Sequence, residues 1–173
     1  MTVLFLALPT IGFASALIPS CRSSDLLWRA EVQTGTLTIY NDPAATVAHT
    51  RVLEARDHVV SQTAALLYHA GQNAFLVALE AAPELWLVDL DEGAGPYYDG
   101  FVHSYIAGME ESLSSEEGRF SRLRIDLETP LTAIRPAADD PRAVDGLRPD
   151  GSCVRVHLIA KREIGPCPDG AFK

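Results

Sequence analysis

Three cysteines, two methionines and two tryptophans in 173 residues leave little material for metal, thiol or redox chemistry. No Cys-x-x-Cys-His is present, which excludes covalent c-type haem attachment, and no paired Cys/His spacing suggests a zinc site. Basic residues are also scarce. Fourteen Lys and Arg stand against 23 Asp and Glu, giving a net charge of −9 and a pI near 4.9. No Lys/Arg run occurs, so the clustered basic surface that a phosphate backbone requires is missing and a nucleic-acid partner is excluded. No Gly-x-Ser-x-Gly, Walker-type loop, His-Glu-x-x-His or Rossmann fingerprint is found. The adjacent acids Asp91-Glu92, Glu110-Glu111, Glu116-Glu117 and Asp139-Asp140 fall in loop-like text and read as solvated pairs rather than catalytic dyads.

With 47% hydrophobic and 21% charged residues, the chain has enough apolar material for one ordinary globular core. Val3 to Leu17 is almost uninterruptedly apolar or small, the length of a secretory h-region and short for a membrane span. Residues 1–21 therefore read as a secretory signal or lipoprotein leader, and 22–173 as the folded domain. Two processing routes are open: cleavage after Ala16, or lipidation of Cys21 within the lipobox-like Ile18-Pro-Ser-Cys21. Either route places the domain in the periplasm, the second with a membrane anchor. In that oxidising compartment Cys153 and Cys167 are candidates to close a small disulfide loop.

The rest of the chain is written in short strands. Trp28, Ala30 and Val32 alternate with charged or polar neighbours, as do Leu37 and Ile39. A two-residue turn at Thr34-Gly35 sets Val32 opposite Leu37 and Ala30 opposite Ile39, all on one face. Thr63 to Tyr68 and Ala74 to Leu79 make a second hairpin. Leu85 to Leu90 follows, with Trp86, Val88 and Leu90 directed into a core and Asp89 on the other parity. Between Arg119 and Leu127 the residues Leu123, Ile125 and Leu127 alternate with Arg122, Arg124 and Asp126, which predicts a half-exposed strand with a charged outer face. Arg148-Pro-Asp-Gly151 is a turn, and Val154, Val156 and Leu158 alternate beyond it. The expected class is all-β, in antiparallel meanders.

Three blocks in order carry a resemblance: VALE from Val77, PELWLVDL from Pro83 and YYDGFVHSY from Tyr97. They resemble Val-Ala-Leu-Lys, Pro-Glu-Val-Trp-Glu-Ile and Tyr-Asp-Gly-Phe-Val-His-Asp-Tyr of the haem d1 propeller family, which comprises the cytochrome cd nitrite reductases and the NirF-like proteins of haem d1 biosynthesis. Residues 24–41 are similar to the beginning of a NirF-like chain and 46–173 to a later part. The resemblance implies a partial β-propeller, roughly three blades of about forty residues from an eight-bladed parent.

It further implies a haem d1 or precursor ligand, and as partners that tetrapyrrole together with haem d1 assembly proteins or nitrite reductase. A tetrapyrrole site uses imidazole at iron, Arg or Lys at propionates and aromatic faces against the ring. Of five histidines, His103 lies in the FVHSY block and is the candidate cofactor ligand, with Arg122 and Arg124 as candidates for the propionates. The alternative for His103 is a structural histidine, and for the arginines a charged strand face. Where haem-binding relatives carry a Gly-Met-Pro-His-Leu-Gly turn, this chain has Gly165-Pro-Cys-Pro-Asp-Gly170, which makes nitrite reduction a poor expectation. Four readings stand: a NirF-like periplasmic protein, with oxidoreductase chemistry on a haem d1 precursor left open; a non-catalytic propeller remnant or interaction module; a d1-domain fragment of a nitrite reductase; and a small sandwich unrelated to propellers.

Overall fold

The Thr34-Gly35 turn shows how this chain fixes its registers. Both residues have positive φ, 47° and 71°, the pair of left-handed conformations that matches the twist of two strands joined by a tight turn. A Cβ on Gly35 would lie 2.9 Å from Val60 Cγ1 and 3.0 Å from the Ser61 carbonyl oxygen, so the next connection presses on the turn as closely as glycine permits. That connection is held there: Gly35 N–H donates to Gln62 Oε1 at 3.1 Å and Leu53 N–H to the Gly35 carbonyl at 2.7 Å. The computed structural model of which this turn is part describes residues 18–98 and 115–172.

The described chain forms three four-stranded antiparallel sheets and one two-stranded ribbon. The first sheet is a meander of β1 (Ser20–Arg22), β2 (Trp28–Gln33), β3 (Thr36–Asn41) and β4 (Thr46–Val52). Val32 stands opposite Leu37 and Ala30 opposite Ile39. The second sheet contains β5 (Thr63–His69), β6 (Ala74–Leu79), β7 (Glu84–Asp89) and β10 (Arg122–Asp126) in the order β10-β7-β6-β5. Between β7 and β10 the ribbon β8 (Tyr97–Tyr98) pairs with β9 (Ser115–Glu116). The third sheet is again a meander: β11 (Ala133–Pro136), β12 (Ala143–Leu147), β13 (Cys153–His157) and β14 (Arg162–Pro166). Gly146 in β12 leaves the space that Leu131 fills, since a Cβ there would meet Leu131 Cδ1 at 2.6 Å.

The sheets stack face on face, with the second in the middle. One core joins Ala30, Val32, Leu37 and Ile39 of the first sheet to Phe75, Val77, Trp86 and Val88 of the second. The other joins Leu76, Leu85, Leu87, Leu123 and Ile125 to Val144, Val154 and Val156 of the third. Every residue of β6 and β7 is buried. This corrects the expectation of one core-facing parity in β7, because Leu85 and Leu87 enter the second core while Trp86 and Val88 enter the first. Asp89 is buried too, and accepts a hydrogen bond from Tyr97 Oη at 2.9 Å. The first strands of the three sheets lie together, with β5 in contact with both β1 and β11.

Cys153 and Cys167 form a disulfide, Cα atoms 5.4 Å apart, that ties the tail to β13. Among the described residues no helix is long and apolar enough to cross a membrane.

Candidate functional site

Arg122 and Arg124 sit on β10, at the opposite edge of the second sheet from β5. Alternation puts Leu123 and Ile125 into the second core and the two arginines on the Trp86 side. Their guanidinium carbons stand 4.6 and 5.2 Å from the Trp86 ring centre. The reading of this strand as a solvated charged face is corrected here, since the two side chains are only 10% and 11% exposed. Burial of these charges is compensated by carboxylates. Glu116 of β9 receives both Arg51 guanidinium nitrogens at 2.9 and 2.7 Å, the Arg122 N–H at 2.8 Å, and Arg122 Nη2 at 3.0 Å. Glu84 accepts Trp86 Nε1–H at 2.8 Å and the Arg56 N–H at 2.7 Å, with Arg124 Nη1 at 3.5 Å.

These groups border a cleft of about 470 Å³ between the fourth strands of the first two sheets, lined by Arg51, Glu54, Arg56, His58, Arg122 and Arg124 among others. Burial alone would raise the Glu116 carboxyl, but the Arg122 N–H and the Arg51 charge outweigh it and hold the group below its ordinary 4.5. His49, stacked on Phe120 at 5.3 Å, is lowered from 6.5 by burial and by Arg51. Arg51 carried no signal in the sequence, and Glu84, as part of the PELWLVDL block, marked a strand rather than an ion partner. Glu116 stood in an adjacent acid pair read as solvated, which is corrected here, since its side chain is largely buried and paired with Arg51 and Arg122.

The other candidates are dispersed. His103 lies outside the described residues. Cys21 lies in β1, opposite Ala30, half-buried against the first core; burial pushes its thiol up to about 12, so in this fold it is protonated at neutral pH. His69, at the end of β5, is buried, with Nε2 at 3.4 Å from the Ala143 carbonyl oxygen. His157 Nδ1 accepts the Ala160 N–H at 3.0 Å and serves a turn.

The residues at 165–170 do not fit an iron ligand: Cys167 is bonded to Cys153, and the segment contains no imidazole. Among the described residues no group of three His, Cys, Asp or Glu could hold a metal ion.

No family model matches the chain, and no curated protein matches it. Solved structures do. The chain is similar to dihydro-haem d1 dehydrogenase NirN in complex with DHE, with a TM-score of 0.64 and 14% identity over 87% of this chain and 27% of that one. It is also similar to Citrobacter koseri AztD, with a TM-score of 0.50 and 17% identity over 88% of this chain and 35% of that one. The apo form of the same protein gives 0.50 and 15%, over 90% and 36%. At these identities the likeness is one of fold, and the chain spans 27% to 36% of the length of these structures.

Proposed function

We propose that the three sheets are consecutive blades of a β-propeller and that the chain is a NirF-like periplasmic protein of haem d1 biosynthesis, which binds the tetrapyrrole late in its assembly. The observation that supports this reading is the arrangement of the three sheets. Four-stranded meanders stack in sequence order with β5 between β1 and β11, as inner strands do around a propeller axis. The fold likeness to a dihydro-haem d1 dehydrogenase supports it, as do the sequence blocks around Trp86. The bonded pair Cys153–Cys167 supports an oxidising compartment. Lipidation at Cys21 belongs to the same reading.

In this reading His103 and the arginines Arg122 and Arg124 meet the ligand, and residues 165–170 contribute no axial group. The test is a visible-spectrum titration of the full chain with haem d1 and with its dihydro precursor. The expected result is a perturbed spectrum and micromolar binding, weakened about tenfold by His103→Ala. No perturbation with either compound overturns the reading.

One observation favours a second reading, a propeller remnant kept as an interaction module. Where the resemblance places a turn with a haem-pocket histidine, residues 165–170 hold no imidazole, Asp169 stands closest to the lost histidine, and the neighbouring Cys167 is disulfide-bonded. Retained folding with no spectral response would favour it.

A further inference from the structure

Among the described residues, each boundary of the stack holds an imidazole with one unpartnered nitrogen. Between the first and second sheets it is His49 of β4, half-buried, its ring stacked on Phe120 at 5.3 Å and its buried Nε2 without a hydrogen-bond partner. Between the second and third it is His69 of β5, 2% exposed, with Nε2 at 3.4 Å from the Ala143 carbonyl oxygen of β12 and a buried Nδ1 that has no partner. His69 is closed in, since a Cβ on Gly71 would lie 3.2 Å from its Cε1 and 2.3 Å from the Pro141 carbonyl oxygen. A neutral imidazole tolerates a bare ring nitrogen, but a protonated one donates from both. On protonation each ring therefore holds a buried N–H that meets no acceptor.

The surroundings do not compensate either charge. His49 faces Arg51 on its own strand, which opposes a second cation, and Glu116, which is already taken by Arg51 at 2.9 and 2.7 Å and by Arg122 at 3.0 Å. Arg119, beside Phe120 in the chain, is bonded to Glu92. Around His69, Asp140 and Arg142 bond each other at 3.1 Å, and Asp145 of β12 is held by Arg135 of β11 at 3.2 Å and Arg155 of β13 at 2.9 Å. Asp89, in register with Ala74 and His69 across the second sheet, takes Tyr97 Oη. None of these carboxylates bonds the ring. Burial is the first cause lowering both imidazoles from 6.5. The strands within each sheet are joined by backbone ladders, whereas the sheets meet through the side chains of two cores. A charge placed at a boundary acts on the contact between sheets and leaves the ladders intact.

We infer that His49 and His69 make the stack acid-responsive: as they take up protons, both boundaries loosen while each sheet stays folded. This property belongs to the stack itself and does not depend on the tetrapyrrole reading. Circular dichroism of the full chain from about pH 7.5 down to about pH 5 tests it. The near-UV signal reads the boundaries, through Trp28 against Phe120 and Tyr97 against the second core, and the far-UV signal reads the strands. Below 6.5 the near-UV signal should fall by about half, while the far-UV signal changes by less than about a tenth. His49→Gln and His69→Gln should each remove part of the fall and together all of it. His58→Gln, at an exposed ring paired with Glu54, should leave it unchanged. Proton NMR of the parent chain keeps the test decisive if a variant does not fold: the His49 and His69 ring resonances should titrate together with the near-UV signal. No near-UV change down to about pH 5, or parallel loss of both signals, overturns the proposal. So does a full-sized fall in either single variant or the double, a fall removed by His58→Gln, or ring resonances that do not move with it.

Discussion

The second and third sheets have the same strand number and connectivity, but they solve different burial problems. The second is covered on both faces, and its inner strands read as continuous apolar text, AFLVAL and ELWLVD, with every residue buried. Among the described residues the third has an apolar core on one face only: β13 reads CVRVH, with buried valines alternating with half-buried neighbours, and β12, though buried from Ala143 to Gly146, carries the charged Asp145 between its apolar residues. Its other face is an ion lattice, in which Arg155 bonds Asp145 at 2.9 Å and Asp139 at 2.8 Å, and Arg135 bonds Asp145 at 3.2 Å. One-sided burial requires alternation, whereas two-sided burial removes it. The same architecture therefore wears two sequence patterns, and position in the stack selects between them.

The largest expected effect is in the middle sheet. Trp86 is fully buried and supports two guanidiniums, so Trp86→Ala should cost about 3–5 kcal/mol in urea unfolding. Val156→Ala in the third sheet should cost about 2 kcal/mol, and an equal cost for the two would break the comparison.

The third sheet compensates with a covalent tie. Replacing Cys153 and Cys167 by Ser, across a separation of 14 residues, should cost about 3 kcal/mol. Hydrogen exchange should show protection falling in β13 and β14 and little change in β2 and β3.

Glu84→Ala comes next. It leaves the Trp86 Nε1–H and the Arg56 N–H without their shared acceptor, and a loss of about 1–3 kcal/mol is expected in the same unfolding measurement.

Acid sensitivity should be smallest, with His49 and Glu116 carrying it at the boundary of the first two sheets and His69, also lowered from 6.5 by burial, adding to it against the third. His49 is lowered from 6.5 by burial first and Arg51 second, so the folded chain favours the neutral ring. Its contribution is present above 6.5 and is lost as pH falls through the folded value. Glu116 is held below 4.5, so its contribution is present above 4.5 and is lost at lower pH still. A melting series from neutral to about pH 4 should show the first decline, and His49→Phe should flatten that part of the curve while Glu116 acts further down.

Much of the fold was legible because hairpins are local. The alternation around Thr34-Gly35 specified both a turn and a register, and Val32 does face Leu37. The hairpin of Thr63 to Tyr68 with Ala74 to Leu79 was equally local, and Asn73 closes its 3-10 turn Ala70–Gln72 at φ 44°. The arginine cleft was not legible. Arg122 and Arg124 stood out by alternation, but the alternation alone read as a wet face, since nothing near them in the chain announces Trp86, 36 to 38 residues earlier, or Arg51 on another sheet. The burial of His69 was not legible for the same reason: a residue at a strand end beside a loop is exposed only if no other sheet covers it, and here β12 does.

The alternating strands and hairpins around Trp28–Ile39, Thr63–Leu90, Leu123–Leu127 and Val154–Leu158, with the antiparallel all-β class, were determined by the sequence itself, because side-chain period and turn φ preferences act over a few neighbouring residues, whereas β11, β12 and β14 were not. Which faces are buried was decided only by the stack. Desolvation depends on what lies across roughly 10 Å of packed side chains, and that distance is bridged by residues far apart in the chain. The charge pattern of β10 became a buried cation platform because the first sheet closed over it, a fact written in no single stretch of the sequence.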